Sequence, residues 1–539
     1  SYVTFPANKY ICYIDKLNWQ MDEDLLTLGD QKVVDESGSK FISIHPLQDS
    51  LSFTAKTAEY SLKDYVIHAG GIDELVIADA VIFPDSGMLT VEKEATIQTL
   101  YNSKILVDDL TEYHTFTNAV IDIKSANDYT ASGDYTYIDA SNNEQYIFFN
   151  EIKVNKDTIT VALGEIKDDK PFHIGSKFDF KGGVEILSDK RNLIFDGYFK
   201  INHQCTLISK EWIKFRSEID PANIIFILDK KIYNDKKELL STSLVLDVDS
   251  TNFYTTFLSR KNQAIDVDVL DASYRLQYDN KKDAYVIGGP DSLSNYYTLF
   301  DKSCSTAGKG EMNLNIDLGQ IDLRTVGDVS YNIESKKTEL NGFLMLDFFF
   351  SEDAMEVMAK DIYSAPGDGL FEYDDRFSYN LLKMLGHEKG ERALLDLELH
   401  DAYSKFPKEM NHSLVFTKNK FIWDNINKAY VAKGDIWLSN IYDSELNALL
   451  DGYIIIEKGR NSDVLTIYLQ TEFYDEYYFQ YKNGVMRAWS TNSDFTTAIM
   501  EESDGKRKKK SKKGAKPYRY MIAPEDITEK FLKMAKKKY

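Results

Sequence analysis

GDYTYIDASNNEQYIFFNEIKV, residues 133–154, alternates apolar and polar side chains on both sides of an Asn-rich centre. A period of two puts every second side chain on one face of a strand, and Asp, Ser and Asn supply the turn. The stretch therefore reads as an antiparallel β-hairpin. The same grammar returns at 183–201 (GVEILSDKRNLIFDGYFKI), 273–288 (SYRLQYDNKKDAYVIG), 327–348 (GDVSYNIESKKTELNGFLMLDF) and 452–473 (GYIIIEKGRNSDVLTIYLQTEF). Recurrent hairpins predict a mainly β chain.

Upstream, a shorter cassette recurs: DAVI at 79–82, EATI at 94–97 and NAVI at 118–121. Each has a polar residue, a small one, and an Ile two places after the small one. Turn-rich stretches such as Pro84-Asp85-Ser86-Gly87 separate them. Short apolar runs between such punctuation are strands, and their return suggests a loose solenoid. Residues 53–71 (FTAKTAEYSLKDYVIHAGG) form a further hairpin-like unit, turning at Lys63-Asp64.

Composition agrees. The 539 residues hold 35 Tyr and 30 Phe but only 10 Pro, a balance that suits pleated sheets. At 43% apolar residues the chain can bury a large core. The strongest apolar run, 342–350 (GFLMLDFFF), is too short to span a bilayer and contains Asp347. Cys12, Cys205 and Cys304 are too few and too scattered for a disulfide framework, and they do not decide the compartment. The chain opens at Ser1 directly into strand-like sequence, which reads as an internal start with natural sequence before it.

One segment is helical. Ser351 is a suitable N-cap before Glu352 and Asp353, and Met355, Met358 and Ile362 share a face. After Pro366-Gly367 the spacing returns in Phe377, Leu381 and Leu385, stopped by Gly386, and residues 391–399 continue as a short helix. A last helix is expected to open at Pro524, with Ile527, Phe531 and Met534 as a docking stripe.

Charge is uneven. Residues 505–539 carry 14 Lys/Arg and 3 Asp/Glu, whereas the rest carries 50 Lys/Arg and 83 Asp/Glu. An acidic body repels phosphates, so nucleic acid is not an expected partner. The basic run offers Lys506, Arg507, Lys508, Lys509, Lys510, Lys512 and Lys513 to an anionic surface, or serves as a solvated tether.

Catalytic motifs are weak. His387-Glu388 with Glu391 gives H-E-x-x-E, which lacks the second imidazole of a zinc-protease helix. His203-x-Cys205 supplies two soft ligands, with His173 upstream in sequence. Asp247-x-Asp249 with Asn252 starts like a calcium loop without its Gly and Glu. G-x-S-x-G, Walker A and G-x-G-x-x-G are absent from the sequence. No catalytic, cofactor-binding or metal-binding residues are expected, and no cofactor.

The 53–71 unit, with Ala55-x-x-Ala58-x-Tyr60 and its glycine pair, resembles the OstA-like repeat of lipopolysaccharide-transport bridge proteins; 183–201 is a looser instance. The chain more specifically resembles the C-terminal part of large uncharacterised envelope proteins of Bacteroidota. That likeness is carried by 2–24 (YVTFPANKYICYIDKLNWQMDED), 76–87 (VIADAVIFPDSG), 127–140 (NDYTASGDYTYIDA) and 347–362 (DFFFSEDAMEVMAKDI). The resemblance implies an exported, elongated, β-rich protein of the cell envelope, periplasmic or outer-membrane associated. It brings no activity or site residues.

The expected fold is mainly β: elongated stacked hairpins and short solenoid-like strands with a small helical layer. The expected segments are 1–125 (solenoid-like), 126–345 (hairpin repeats), 346–410 (helical), 411–504 (C-terminal β) and 505–539 (basic linker and terminal helix). The expected function is a non-enzymatic structural or binding protein of the envelope. The alternatives are a lipid-handling bridge and, third, a glycan-active hydrolase. Envelope proteins or anionic lipid are the expected partners, and oligomeric state is open.

Overall fold

The computed structural model describes residues 2–14, 16–28, 38–108, 111–289, 291–367, 372–509 and 517–539. It is mainly β, with 51% strand and 14% helix. Two compact units divide the chain: Ser1–Asn202 with Trp212–Phe226, and His203–Glu211 with Ile227–Tyr539.

The first unit begins with short strands in two small sheets. Tyr2–Phe5, Tyr10–Tyr13, Ser39–Ser43 and Ser52–Ala55 form one, and Thr57–Ser61 and Val66–Gly70 pair within the other. An 11-stranded antiparallel sheet follows, from Leu75–Ile77 to Ile213–Glu218. The cassettes feed the core: Ala80 and Ile82, Ala95 and Ile97, and Ala119 and Ile121 are all buried. Their polar residues have local duties. Asp79 accepts hydrogen bonds from Thr160 N (2.9 Å), Thr160 Oγ1 (2.5 Å) and Ser188 Oγ (2.5 Å), tying strand ends together. Asn118 takes a positive φ of 51° where the strand His114–Ser125 slips register against Asp128–Ile138. This is the behaviour of a β-bulge.

All five hairpins read from the sequence pair as antiparallel neighbours. The aromatic richness goes largely into sheet packing. Phe180, Phe195, Phe199 and Phe215 meet edge to face at 5.0–5.8 Å, and Phe226 stacks on Phe199 at 4.0 Å.

In the second unit an antiparallel meander runs in chain order from Arg275–Asp279 to Val485–Ser490. Tyr518–Ile522 then joins Val485–Ser490 in parallel, after the helix Ser493–Glu501 has carried the chain across. The sheet curls into a half-barrel. Residues of the 313–321 segment bond to this sheet and its turns: Leu314 O accepts from the Tyr430 hydroxyl at 3.0 Å, and Asp463 N donates to Asp317 O at 3.0 Å. Gly310, Gly327 and Gly342 face one another on three neighbouring strands. A Cβ on Gly327 would lie 2.0 Å from Asn341 O, and one on Gly342 would lie 2.2 Å from Val326 O. Only glycine lets the Gly327 and Gly342 strands close to this distance, so the pair forms a crease.

Among the described residues, five helices cover parts of this unit. In α1 (Glu352–Ser364) the Ser351 hydroxyl accepts from Ala354 N, and Met355, Met358 and Ile362 are buried. In α2 (Asp375–Leu385) Asp374 provides the cap, Phe377, Leu381 and Leu385 are buried, and Gly386 ends the helix at φ 79°. The next helix, α3, spans His387–His400, and α4 spans Ser493–Glu501. Phe377, Leu381 and Leu397 pack on Val326, Phe343 and Val415 of the sheet.

The terminal helix α5 spans Ile527–Lys538, so it starts three residues after the expected Pro524. Its buried side is Thr528, Phe531 and Ala535, while Met534 is 39% exposed. The expected stripe is therefore rotated: Ile527 and Phe531 dock, but the next contact is Ala535 rather than Met534. A small residue lets the backbone approach the sheet, which turns the longer Met side chain outward.

Candidate functional site

The sequence motifs separate cleanly once placed. His387, Glu388 and Glu391 lie on the exposed first turns of α3. His387 Nε2 is 3.2 Å from Ser292 Oγ, and Glu388 pairs with Arg392 at 3.1 Å. Asp247 accepts from Asp249 N (2.9 Å) and Ser250 N (2.8 Å), so it caps a turn. The Ser250 amide comes first among the groups that hold its carboxyl below the usual range. Asn252 Oδ1 takes a hydrogen bond from Lys428 at 2.6 Å. Among the described residues no group of three or more His, Cys, Asp or Glu could hold a metal ion.

The cysteine reading is corrected. Cys205 and Cys304 form a disulfide across 99 residues of sequence, and Cys12 is buried and free. Cys205 therefore cannot act as a soft ligand with His203. His203 itself is 1% exposed. Burial, followed by the nearby Lys210 charge, pushes its pKa down to about 4, so the ring is neutral.

The basic run is placed only in part. Lys510, Lys512 and Lys513 fall outside the described residues. Lys506, Lys508 and Lys509 are exposed. Lys508 pairs with Asp504, and Lys509 lies opposite Tyr518 on a short edge strand. Arg507 instead closes a helix end. Its guanidinium donates to Met500 O (2.7 Å) and Glu502 O (2.7 Å), satisfying carbonyls at the end of α4.

A cleft of about 520 Å³ opens in the second unit. Its walls include Tyr254 and Thr255 on the strand Phe253–Ser259, Tyr331 on Asp322–Asn332, and the polar run Arg260-Lys261-Asn262. Its lip is the 203–211 segment, held at both ends. Near one end the Cys205–Cys304 bond joins it to the turn after Tyr296–Phe300, where Gln204 N also donates to Asp301 Oδ1 at 2.7 Å. At the other end Glu211 accepts from Asn234 Nδ2 at 3.0 Å. Leu207 stands 72% exposed on this lip.

Two of the cationic side chains that line it, Arg260 and Lys261, are matched by carboxylates. Arg260 pairs with Glu238 (2.9 Å) and Glu211 (3.6 Å), and Lys261 pairs with Asp268 (2.6 Å). The Tyr254 hydroxyl donates to Asp266 at 2.6 Å, and burial, then this carboxylate, hold it protonated well above its ordinary range. The cleft thus offers hydroxyls, an amide and ion pairs, with its lip tethered by the disulfide. That suits recognition of a polar ligand. Sequence reading missed it because its residues belong to ordinary hairpins. Cys205 and Cys304 mark the loop that shapes it only once strand register brings them together.

Compared with known proteins, the chain matches no family model and no curated protein.

Proposed function

We propose that this chain is a non-enzymatic structural or binding module of the bacterial cell envelope. The observation that carries the reading is the Cys205–Cys304 disulfide fastening the lip of the 520 Å³ cleft. Structural disulfides persist in oxidising compartments, the periplasm among them, and are rare where thiols are kept reduced. The apolar void bounded by Met312, Leu340, Phe421 and Ile456 holds about 20 Å³, roughly room for one water. This one void is too small for an acyl chain.

The test is differential alkylation of protein isolated from its own host without reductant. Peptide mass spectrometry should recover the fragments containing Cys205 and Cys304 as one cross-linked species. Cys12 should stay unlabelled until the chain is unfolded, because burial pushes its thiol up to about 12. Recovery of Cys205 and Cys304 as free thiols would remove the support for an exported protein.

A further inference from the structure

Register in the large sheet of the first unit sets four side chains in a row across neighbouring strands. His173 lies opposite Asp179, and Asp179 lies opposite Lys200. Trp212 directly precedes the strand Ile213–Glu218, whose Ile213 lies opposite Phe199, so Trp212 extends the row past Lys200. His173 Nδ1 is 2.8 Å from Asp179 Oδ1, and Lys200 Nζ is 3.3 Å from Asp179 Oδ2. Lys181, two residues beyond Asp179 and on the same face, pairs with Asp168 at 3.0 Å. Both ammonium groups lie over one indole: Lys181 Nζ is 4.6 Å and Lys200 Nζ 4.3 Å from the Trp212 ring centroid. These groups, with Lys170 and Pro171, line a cavity of about 270 Å³.

Two like charges converging on one ring repel each other. The indole quadrupole, with Asp168 beside Lys181 and Asp179 beside Lys200, helps to hold them there. The carboxylates are not equivalent. Asp179 is 19% exposed and held by both His173 and Lys200, whereas Asp168 is 71% exposed and has the looser hold on Lys181. An incoming anion can replace Asp168 and bridge the two ammoniums. Asp179 and the His173 ring remain beside it as hydrogen-bonding groups for hydroxyls. Trp212 and Pro171 supply apolar wall. The volume lies just below the roughly 300–1,000 Å³ of drug-sized sites, which suits a single sugar ring.

We propose that this pocket binds an acidic sugar unit of the hexuronate type, its carboxylate between Lys181 and Lys200 and its hydroxyls toward Asp179 and His173. The site stands whether or not the chain resides in an envelope. Isothermal titration of the full chain with D-glucuronate, D-glucose and inorganic phosphate tests it. Glucuronate should bind saturably and at least about tenfold tighter than glucose, the size expected when charge-assisted hydrogen bonds are lost. Lys181→Ala and Lys200→Ala should each weaken glucuronate at least about tenfold. Lys153→Ala, on a distant ion pair with Glu151, should leave binding unchanged. Trp212→Phe keeps an aromatic floor and should retain saturable binding if either lysine variant fails to fold. Glucose equal to glucuronate, phosphate as tight as glucuronate, unaffected folded lysine variants, or no saturable glucuronate binding would each overturn the assignment.

Discussion

Removing one ring, in Phe531→Ala, tests how α5 is held. Phe531 is 4% exposed, and its ring centroid lies 5.8 Å from Tyr453, 5.9 Å from Tyr468 and 5.6 Å from Tyr478. A buried Phe covers roughly 200 Å², which at about 25 cal/mol per Å² sets a ceiling of about 5 kcal/mol. The remaining Cβ and a partly collapsed unfolded reference reduce this to about 3 kcal/mol. The polar anchors are weaker. Lys538 and the Tyr539 hydroxyl both reach Glu457, with Lys538 34% and Glu457 27% exposed, so about 1 kcal/mol or less is at stake. Native-state hydrogen exchange should therefore show protection across Ile527–Lys538 falling about a hundredfold in Phe531→Ala. The strand Val464–Gln470 should keep its protection. Glu457→Gln, or high salt, should cost only a few-fold. An equal loss from Glu457→Gln, unchanged protection in Phe531→Ala, or a parallel loss in Val464–Gln470 would refute the reasoning.

Other outcomes follow from single residues. His203 is held neutral at about pH 4 and above when folded, whereas the unfolded ring takes a proton near pH 6.5. Acid thus favours the unfolded chain, and stability present above pH 6.5 should decline toward pH 4 by at most about 3 kcal/mol. Denaturant titrations from pH 7 to 4 should show a shallower decline in His203→Phe, and an unchanged slope would count against the buried neutral ring. Gly327→Ala should destabilise the second unit by at least about 2 kcal/mol in the same assay, since its Cβ would meet Asn341 O at 2.0 Å and Gly342 Cα at 2.7 Å. In the basic run, changing Lys506, Lys508 and Lys509 to Glu should remove any adhesion to anionic vesicles in a co-sedimentation assay. Arg507→Ala should instead lower exchange protection at the end of α4 and leave vesicle adhesion within a few-fold.

The hairpins were legible because each is local. Turn residues and alternation lie within some twenty positions, as around Ser335-Lys336 between the strands Asp322–Asn332 and Lys337–Asp347. The Ala-x-Ile cassettes were legible for the same reason: two places along a strand is one face, and both residues are buried. Features that depend on distant pairing were not. Nothing near Cys205 announces Cys304, since the two stand 99 positions apart and the chain between them includes several strands whose register sets the approach. The row His173, Asp179, Lys200, Trp212 is likewise a product of strand register and has no sequence spacing of its own. The stripe of α5 was nearly right because apolar spacing gives the phase of a helix. It was off by one residue because spacing cannot tell whether the sheet beneath leaves room for Met534 or only for Ala535.

The glycine crease has a consequence for how the second unit finds its own alignment. In most sheets a one-residue slip exposes the apolar face, and water rejects the error. That check is silent where both faces are covered. Phe343, Leu344, Met345 and Leu346 are consecutive and all buried, so a slipped strand would still present apolar groups on either side. The facing pair Gly327 and Gly342 supplies the missing discrimination. A slip by one would bring Asn341 or Phe343 opposite Gly327, setting a Cβ where only a hydrogen fits. Steric refusal at the facing Gly327 and Gly342 thus does for a doubly covered strand what solvent does for an ordinary one. The crease is a key that admits one register.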